Sequence, residues 1–123
     1  MHKRRLKFFI PAFAWAAIIF SVSAIPDLPT TTFGFKMIDK IAHFGEFFIL
    51  GIFIAHALSK QSLRTINVFL ISACISALYG ISDEFHQFFV PGRQMDGLDM
   101  LADIIGGVSA SGVYVSGFWK RGS

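Results

Sequence analysis

Acids, histidines and amides fall in three stretches of this sequence: Asp39, Lys40, His43 and Glu46; then Asp83, Glu84, His86 and Gln87; then Arg93, Asp99 and Asp103. The segment 82–103, SDEFHQFFVPGRQMDGLDMLAD, alone carries five of the eight acidic residues: Asp83, Glu84, Asp96, Asp99 and Asp103. Apolar runs long enough to cross a bilayer lie on both sides of it. Charge between such runs is costly unless its members pair with one another or reach water, so the cluster is read first as a site.

Three chemistries fit these residue types. Imidazole and carboxylates bind divalent metals, and His43-x-x-Glu46 puts two ligands on one helix face. His43, Glu46 and Asp83 are therefore candidate metal ligands, a divalent metal being the only cofactor they point to, although no metalloprotease motif is present. Alternatively, His43 or His86 beside a carboxylate acts as general base on a substrate, with Arg93 holding its phosphate or carboxylate. Ser82 next to Asp83 is a weak nucleophile candidate. The third chemistry is binding of a ligand without turnover, so the residues leave enzyme and binding protein open.

A structural reading exists for each residue taken singly. Lys36 and Lys40 can snorkel to an interface. Asp99 can cap a helix. Arg93 can pair with Asp96 or a lipid phosphate, and His56 lies away from the others and reads as structural. As a set, Asp39, His43, Glu46, Asp83, His86, Gln87, Arg93, Asp99 and Asp103 form either a ligand pocket or a buried polar network.

The elements that position these residues are helices. The chain has 123 residues, enough for one domain, with 54% hydrophobic and 15% charged residues, a composition too apolar for an ordinary soluble domain. Uncharged or sparsely charged runs place four membrane spans at about 8–25, 37–58, 66–82 and 100–119. The first can instead be a signal peptide with a small-residue cut after Ala24, but the run is long for a signal core and Pro26 follows closely. Pro26 and Pro29 end it, and Pro91-Gly92 reverses the chain after the third span. On the second span Asp39, His43, Glu46 and Leu50 share a face, with Phe44 and Phe48 opposite. Ser72, Ser76 and Gly80 recur every four residues, a stripe that Asp83 and Gln87 continue if the helix persists. Gly106/Ala110 and Gly107/Ser111 repeat that spacing in the fourth span. Such stripes let helices approach closely and permit homo-oligomers. Short connections make the whole an all-α, antiparallel four-helix membrane bundle.

Charge orients the bundle. With the N-terminus inside, Lys3, Arg4, Arg5, Lys7, Lys60, Arg64, Lys120 and Arg121 fall inside, against Lys36, Lys40 and Arg93 outside. All acidic residues then lie outside or in the outer half of a helix, so both termini are cytoplasmic and the site opens extracytoplasmically. The pI near 9.3 comes from these short flanks, a topology signal rather than a nucleic-acid surface. Cys74 is the sole cysteine, which excludes an intramolecular disulfide. The inner half offers no polar path matching the outer cluster, which argues against a transporter.

Three blocks resemble the VanZ-like family: Asp39-Lys40-x-x-His43-Phe44; Asp83-Glu84-x-x-Gln87 running on to Pro91-Gly92-Arg93; and Asp99-x-x-x-Asp103-x-x-Gly106. The Ser23-x-x-Pro26 end of the first span is similar too. The resemblance implies a small multi-pass protein of the bacterial cytoplasmic membrane, whose namesake is linked to low-level teicoplanin resistance. It supplies no biochemical activity. Phe47 stands where members commonly carry Tyr, and Asp103 where Asn is common. The resulting expectation is an extracytoplasmic polar site for a lipid-linked or glycopeptide ligand. A membrane hydrolase or transferase acting on lipid substrates is the alternative.

Overall fold

The computed structural model describes residues 5–25, 33–92 and 97–122, with side chains described within 5–25, 37–92 and 97–117. Among the described residues every regular element is helical. A short 3-10 turn, Lys7–Phe9, leads into α1, Ile10–Ser23; α2 is Phe33–Ser59, α3 Thr65–Phe88 and α4 Gly97–Gly122. Pro11 sits in the first turn of α1, where a missing N–H is harmless. The helix stops three residues short of Pro26. Between α2 and α3 the chain turns at Ser62, which takes a left-handed φ of 61°. Arg5 Nη1 donates to Ser62 Oγ at 2.7 Å, and Gln61 Nε2 donates to the Arg5 carbonyl at 2.9 Å. The segment just before α1 is thereby tied to the α2–α3 turn.

The third helix outlasts the apolar run expected to define it. The run ends near Ser82, but α3 continues to Phe88, and Gly92 turns the chain at a φ of 80°. Hydropathy registers the arrival of Asp83, Glu84, His86 and Gln87, whereas the helix needs only that their backbones keep bonding. At the other side of the turn α4 already begins at Gly97, so Asp99 lies in its first turn.

Three helices are long and apolar enough to cross a membrane, over Met37–Ser59, Thr65–Phe88 and Gly97–Gly117; Lys7–Ser23 is a shorter apolar helix. Their outward faces carry Ile41, Leu70, Leu78, Leu101 and Val113, all exposed. So continuous an apolar surface belongs in lipid. Inside, Phe47, Leu50, Ile54, Ala55 and Leu58 of α2 meet Ala12 and Ile19 of α1 and Val68 of α3.

The small-residue stripes face one another within the chain. A Cβ built on Gly107 would collide with the Ser76 side chain, so glycine is required where α4 packs against Ser76 of α3. One turn further on, Ser72 Oγ donates to Ser111 Oγ at 2.8 Å, and Ser111 Oγ donates to the Gly107 carbonyl at 3.0 Å. Both stripes are thus occupied inside the bundle.

Candidate functional site

The buried stripe of α2 runs through His43, Phe47, Leu50 and Ile54, the i, i+4, i+7 spacing of one helix face. That of α3 runs through Ser72, Ser76, Gly80, Asp83, Glu84 and Gln87. On α4, Asp99, Asp103, Ala110 and Ser111 are buried. At one end of the bundle the three stripes change from apolar or small to polar and meet around His43.

His43 is 4% exposed, and Asp103 and Glu84 are fully buried. The His43 Nδ1 edge lies 2.9 Å from Asp103 Oδ1, a hydrogen bond, and 3.9 Å from Glu84 Oε1. The Nε2 edge faces Asp39 Oδ1 and Asp99 Oδ2, each at 3.8 Å. Lys40 Nζ donates to Asp99 Oδ1 at 2.7 Å, tying α2 to α4 beside the histidine. Lys40 and Asp99, each read singly as a snorkeller and a cap, also form an ion pair. The ligand atoms of His43, Asp83, Glu84 and Asp103 lie within 4.8 Å of one another, as do those of Asp39, His43 and Asp99. Asp39 and His43, Asp83 and Gln87, and Asp99 and Asp103 each stand four residues apart on one helix, so a single helical face delivers each of these pairs.

The position of Asp103 depends on Gly80. A Cβ at Gly80 would stand 2.9 Å from Asp103 Cβ, so the absent side chain makes room for the carboxylate. Gly80 was not among the candidate residues, yet the Ser72/Ser76/Gly80 stripe was the signal for it.

Not every candidate joins this group. Glu46 is half-buried and belongs to neither set of converging ligand atoms; its carbonyl accepts a hydrogen bond from Trp15 Nε1 at 2.8 Å. The stripe through His43, Phe47, Leu50 and Ile54 is centred about 70° round the helix from Glu46 at 100° per residue, which leaves Glu46 at its edge. His86 turns to α1, where its ring stacks on Phe20 with centroids 4.1 Å apart. Gln87 is buried beside Asp83 on the same face. Arg93 and Asp96 lie outside the described residues.

The VanZ/LLP1 family profile matches residues 2–120. The chain belongs to the VanZ/LLP1 family. No curated protein and no solved structure matches it significantly. Membership together with the apolar helices marks a membrane protein. In this VanZ/LLP1 protein Phe47, where a tyrosine was the common residue of the resemblance, is fully buried and lies 6.0 Å from the Tyr79 ring. Tyr79 turns its hydroxyl the other way, to the Ala16 carbonyl at 2.6 Å.

Proposed function

We propose that this VanZ/LLP1 protein binds a cell-envelope ligand through the polar cluster around His43, and that binding alters the response to glycopeptide antibiotics. In this reading it crosses the bacterial cytoplasmic membrane as an antiparallel four-helix bundle with both termini in the cytoplasm. The site then opens towards the outer leaflet, where lipid-linked precursors and glycopeptides are found.

One observation carries the reading: His43, Asp83, Glu84, Asp99 and Asp103, from three helices, are buried together at one end of the bundle. Charged groups at membrane depth are expensive and tend to be kept where they are used. The orientation rests on the eight-to-three split of basic residues. The Arg5–Ser62 contact supports it, because it puts Arg5 and the turn that carries Lys60 and Arg64 at one end.

The second reading, a membrane-embedded hydrolase or transferase, is favoured by the His43–Asp103 hydrogen bond. A carboxylate on Nδ1 fixes the ring and leaves Nε2 to act as base.

The test measures teicoplanin susceptibility and detergent melting temperature on the same variants. His43→Ala and Arg93→Ala are expected to abolish the susceptibility effect while the protein inserts and stays folded. If lost susceptibility tracks lost folded fraction in every variant, the cluster is a structural network and the binding reading fails. Reporters in the 59–65 turn and after Ser123 are expected to read cytoplasm, and one at 30–35 to read outside. A 59–65 turn outside the cell defeats the orientation. Product release from phospholipid or lipid-linked substrates, lost in His43→Ala, moves the conclusion to the enzyme.

A further inference from the structure

His43 has two ring nitrogens, and the carboxylates around it divide between them. Nδ1 lies 2.9 Å from Asp103 Oδ1 and 3.9 Å from Glu84 Oε1. On this side His43, Asp83, Glu84 and Asp103 are all buried, and each offers a ligand atom within 4.8 Å of the rest. A six-coordinate cation with bonds of ~2.1 Å holds neighbouring ligands ~3 Å apart and opposite ones ~4.2 Å apart. The spacing suits a shared ion.

A second observation is independent of the clustering. Asp103 is 0% exposed, and its Oδ2 has no hydrogen-bond partner among the described residues. Oδ2 stands 3.7 Å from the place a Gly80 Cβ would take, against the helix that carries Asp83 and Glu84. A buried carboxylate oxygen without a donor requires a reason, and a cation in contact with it is one.

We propose that Asp103, Asp83, Glu84 and His43 Nδ1 form a binding site for one divalent cation. Three carboxylates and an imidazole, with no thiolate, select a hard or borderline ion such as Mg²⁺ or Mn²⁺. Asp39 and Asp99, each 3.8 Å from Nε2, stand where outer carboxylates orient a metal-bound imidazole. The proposal rests on the reading of this cluster as a binding site and names what it binds first. The remaining coordination positions of the ion are open to the phosphate or carboxylate of an envelope ligand.

The full chain, purified in detergent and stripped with EDTA, is titrated with MnCl₂ while the EPR signal of free aqueous Mn²⁺ is followed. One saturable equivalent per chain is expected, with nitrogen modulation in the electron spin echo of the bound ion. Affinity should fall at least ~10-fold in Asp103→Asn and in Glu84→Gln, and stay unchanged in Ser59→Ala at the opposite end. Both substitutions keep side-chain shape, and circular dichroism on the same samples reports folding. A wild type without a saturable equivalent overturns the proposal. So does a folded Asp103→Asn or Glu84→Gln protein with undiminished affinity. If both variants unfold, the wild-type spin echo decides: nitrogen modulation supports the site, and its absence overturns it. Failure here leaves the susceptibility effect of His43→Ala standing, and loss of that effect leaves Mn²⁺ binding standing, so the two readings fail separately.

Discussion

His43 and His56 stand on the same helix, thirteen residues or ~20 Å apart, and are held by opposite means. Among the described residues every partner of His56 is neutral. Its Nδ1 is 2.9 Å from the Tyr114 hydroxyl, Ser59 Oγ lies 3.0 Å from the same hydroxyl, and the rings of Phe8 and Tyr114 meet it edge-on. Ser59 Oγ also donates to the His56 carbonyl at 2.6 Å. Around His43 the partners are Asp103, Glu84, Asp39 and Asp99. The hydroxyls at the half-buried His56 end close a network among themselves, which is how a polar group away from bulk water is anchored. The acids at the His43 end keep a buried acceptor, Asp103 Oδ2, with no hydrogen-bond donor among the described residues. A closed network holds helices together; one with an open acceptor can take a ligand.

The largest effect should come from removing the acceptor on His43. Asp103→Ala leaves a buried imidazole without its 2.9 Å partner, at a cost of about 3 kcal/mol. Denaturation midpoints in mixed micelles measure it. Asp103→Asn keeps an acceptor and should lose much less. An Asp103→Ala midpoint no lower than that of Tyr114→Phe erases the contrast between the two ends.

Next is Gly80→Ala, which sets a methyl 2.9 Å from Asp103 Cβ and should destabilise by about 2 kcal/mol through overpacking. Gly45 is the counterpart on α2: a Cβ there meets nothing within 4 Å. Gly45→Ala should therefore stabilise by about 0.5 kcal/mol, the ordinary gain in a helix. Equal effects at the two glycines mean that α3 and α4 are not pressed together at the site. At the neutral end, Tyr114→Phe removes the hydroxyl that His56 and Ser59 share, for about 1 kcal/mol. Teicoplanin susceptibility should not change, and a change would make the His56 end part of the function.

How far this contrast was legible in the sequence follows from what each signal measures. The helical runs and the gathering of acids at one end are local and additive, so composition along the chain was enough to find them. The Ser72/Ser76/Gly80 stripe extended to Asp83 and Gln87 because periodicity carries through a helix. Choosing among residues on neighbouring faces was harder. His43, Glu46 and Leu50 fit one stripe nearly as well as His43, Phe47 and Leu50, and only packing between helices decides for Phe47, whose ring meets Tyr79 of α3. His86 lies about 110° round the helix from the centre of Asp83, Glu84 and Gln87, which sends it to Phe20. Partners from distant segments were out of reach altogether. Lys40 and Asp99 are 59 residues apart, and nothing local in either says that their side chains meet.

That pair yields the smallest effect and the sharpest view of where the site begins. The Lys40 side chain is 27% exposed and that of Asp99 9%, whereas His43 and Asp103 are almost sealed. An ion pair with one partner partly in solvent is worth about 0.5–1 kcal/mol, and salt weakens it. Lys40→Met keeps the apolar stem and removes only the charge. Its loss in denaturation midpoint should shrink between ~0.05 and ~0.5 M salt, while that of Asp103→Ala should not move. Such a difference makes Lys40–Asp99 the wet rim of the cluster and His43–Asp103 its dry floor. The rim is where a charged ligand displaces or recruits a side chain, so a ligand that reaches His43 should also change the salt dependence at Lys40. A loss in Lys40→Met as large as that in Asp103→Ala, and indifferent to salt, puts the pair inside the sealed core. The cluster would then have no opening beside α4, and the entry to His43 would have to be sought between α2 and α3.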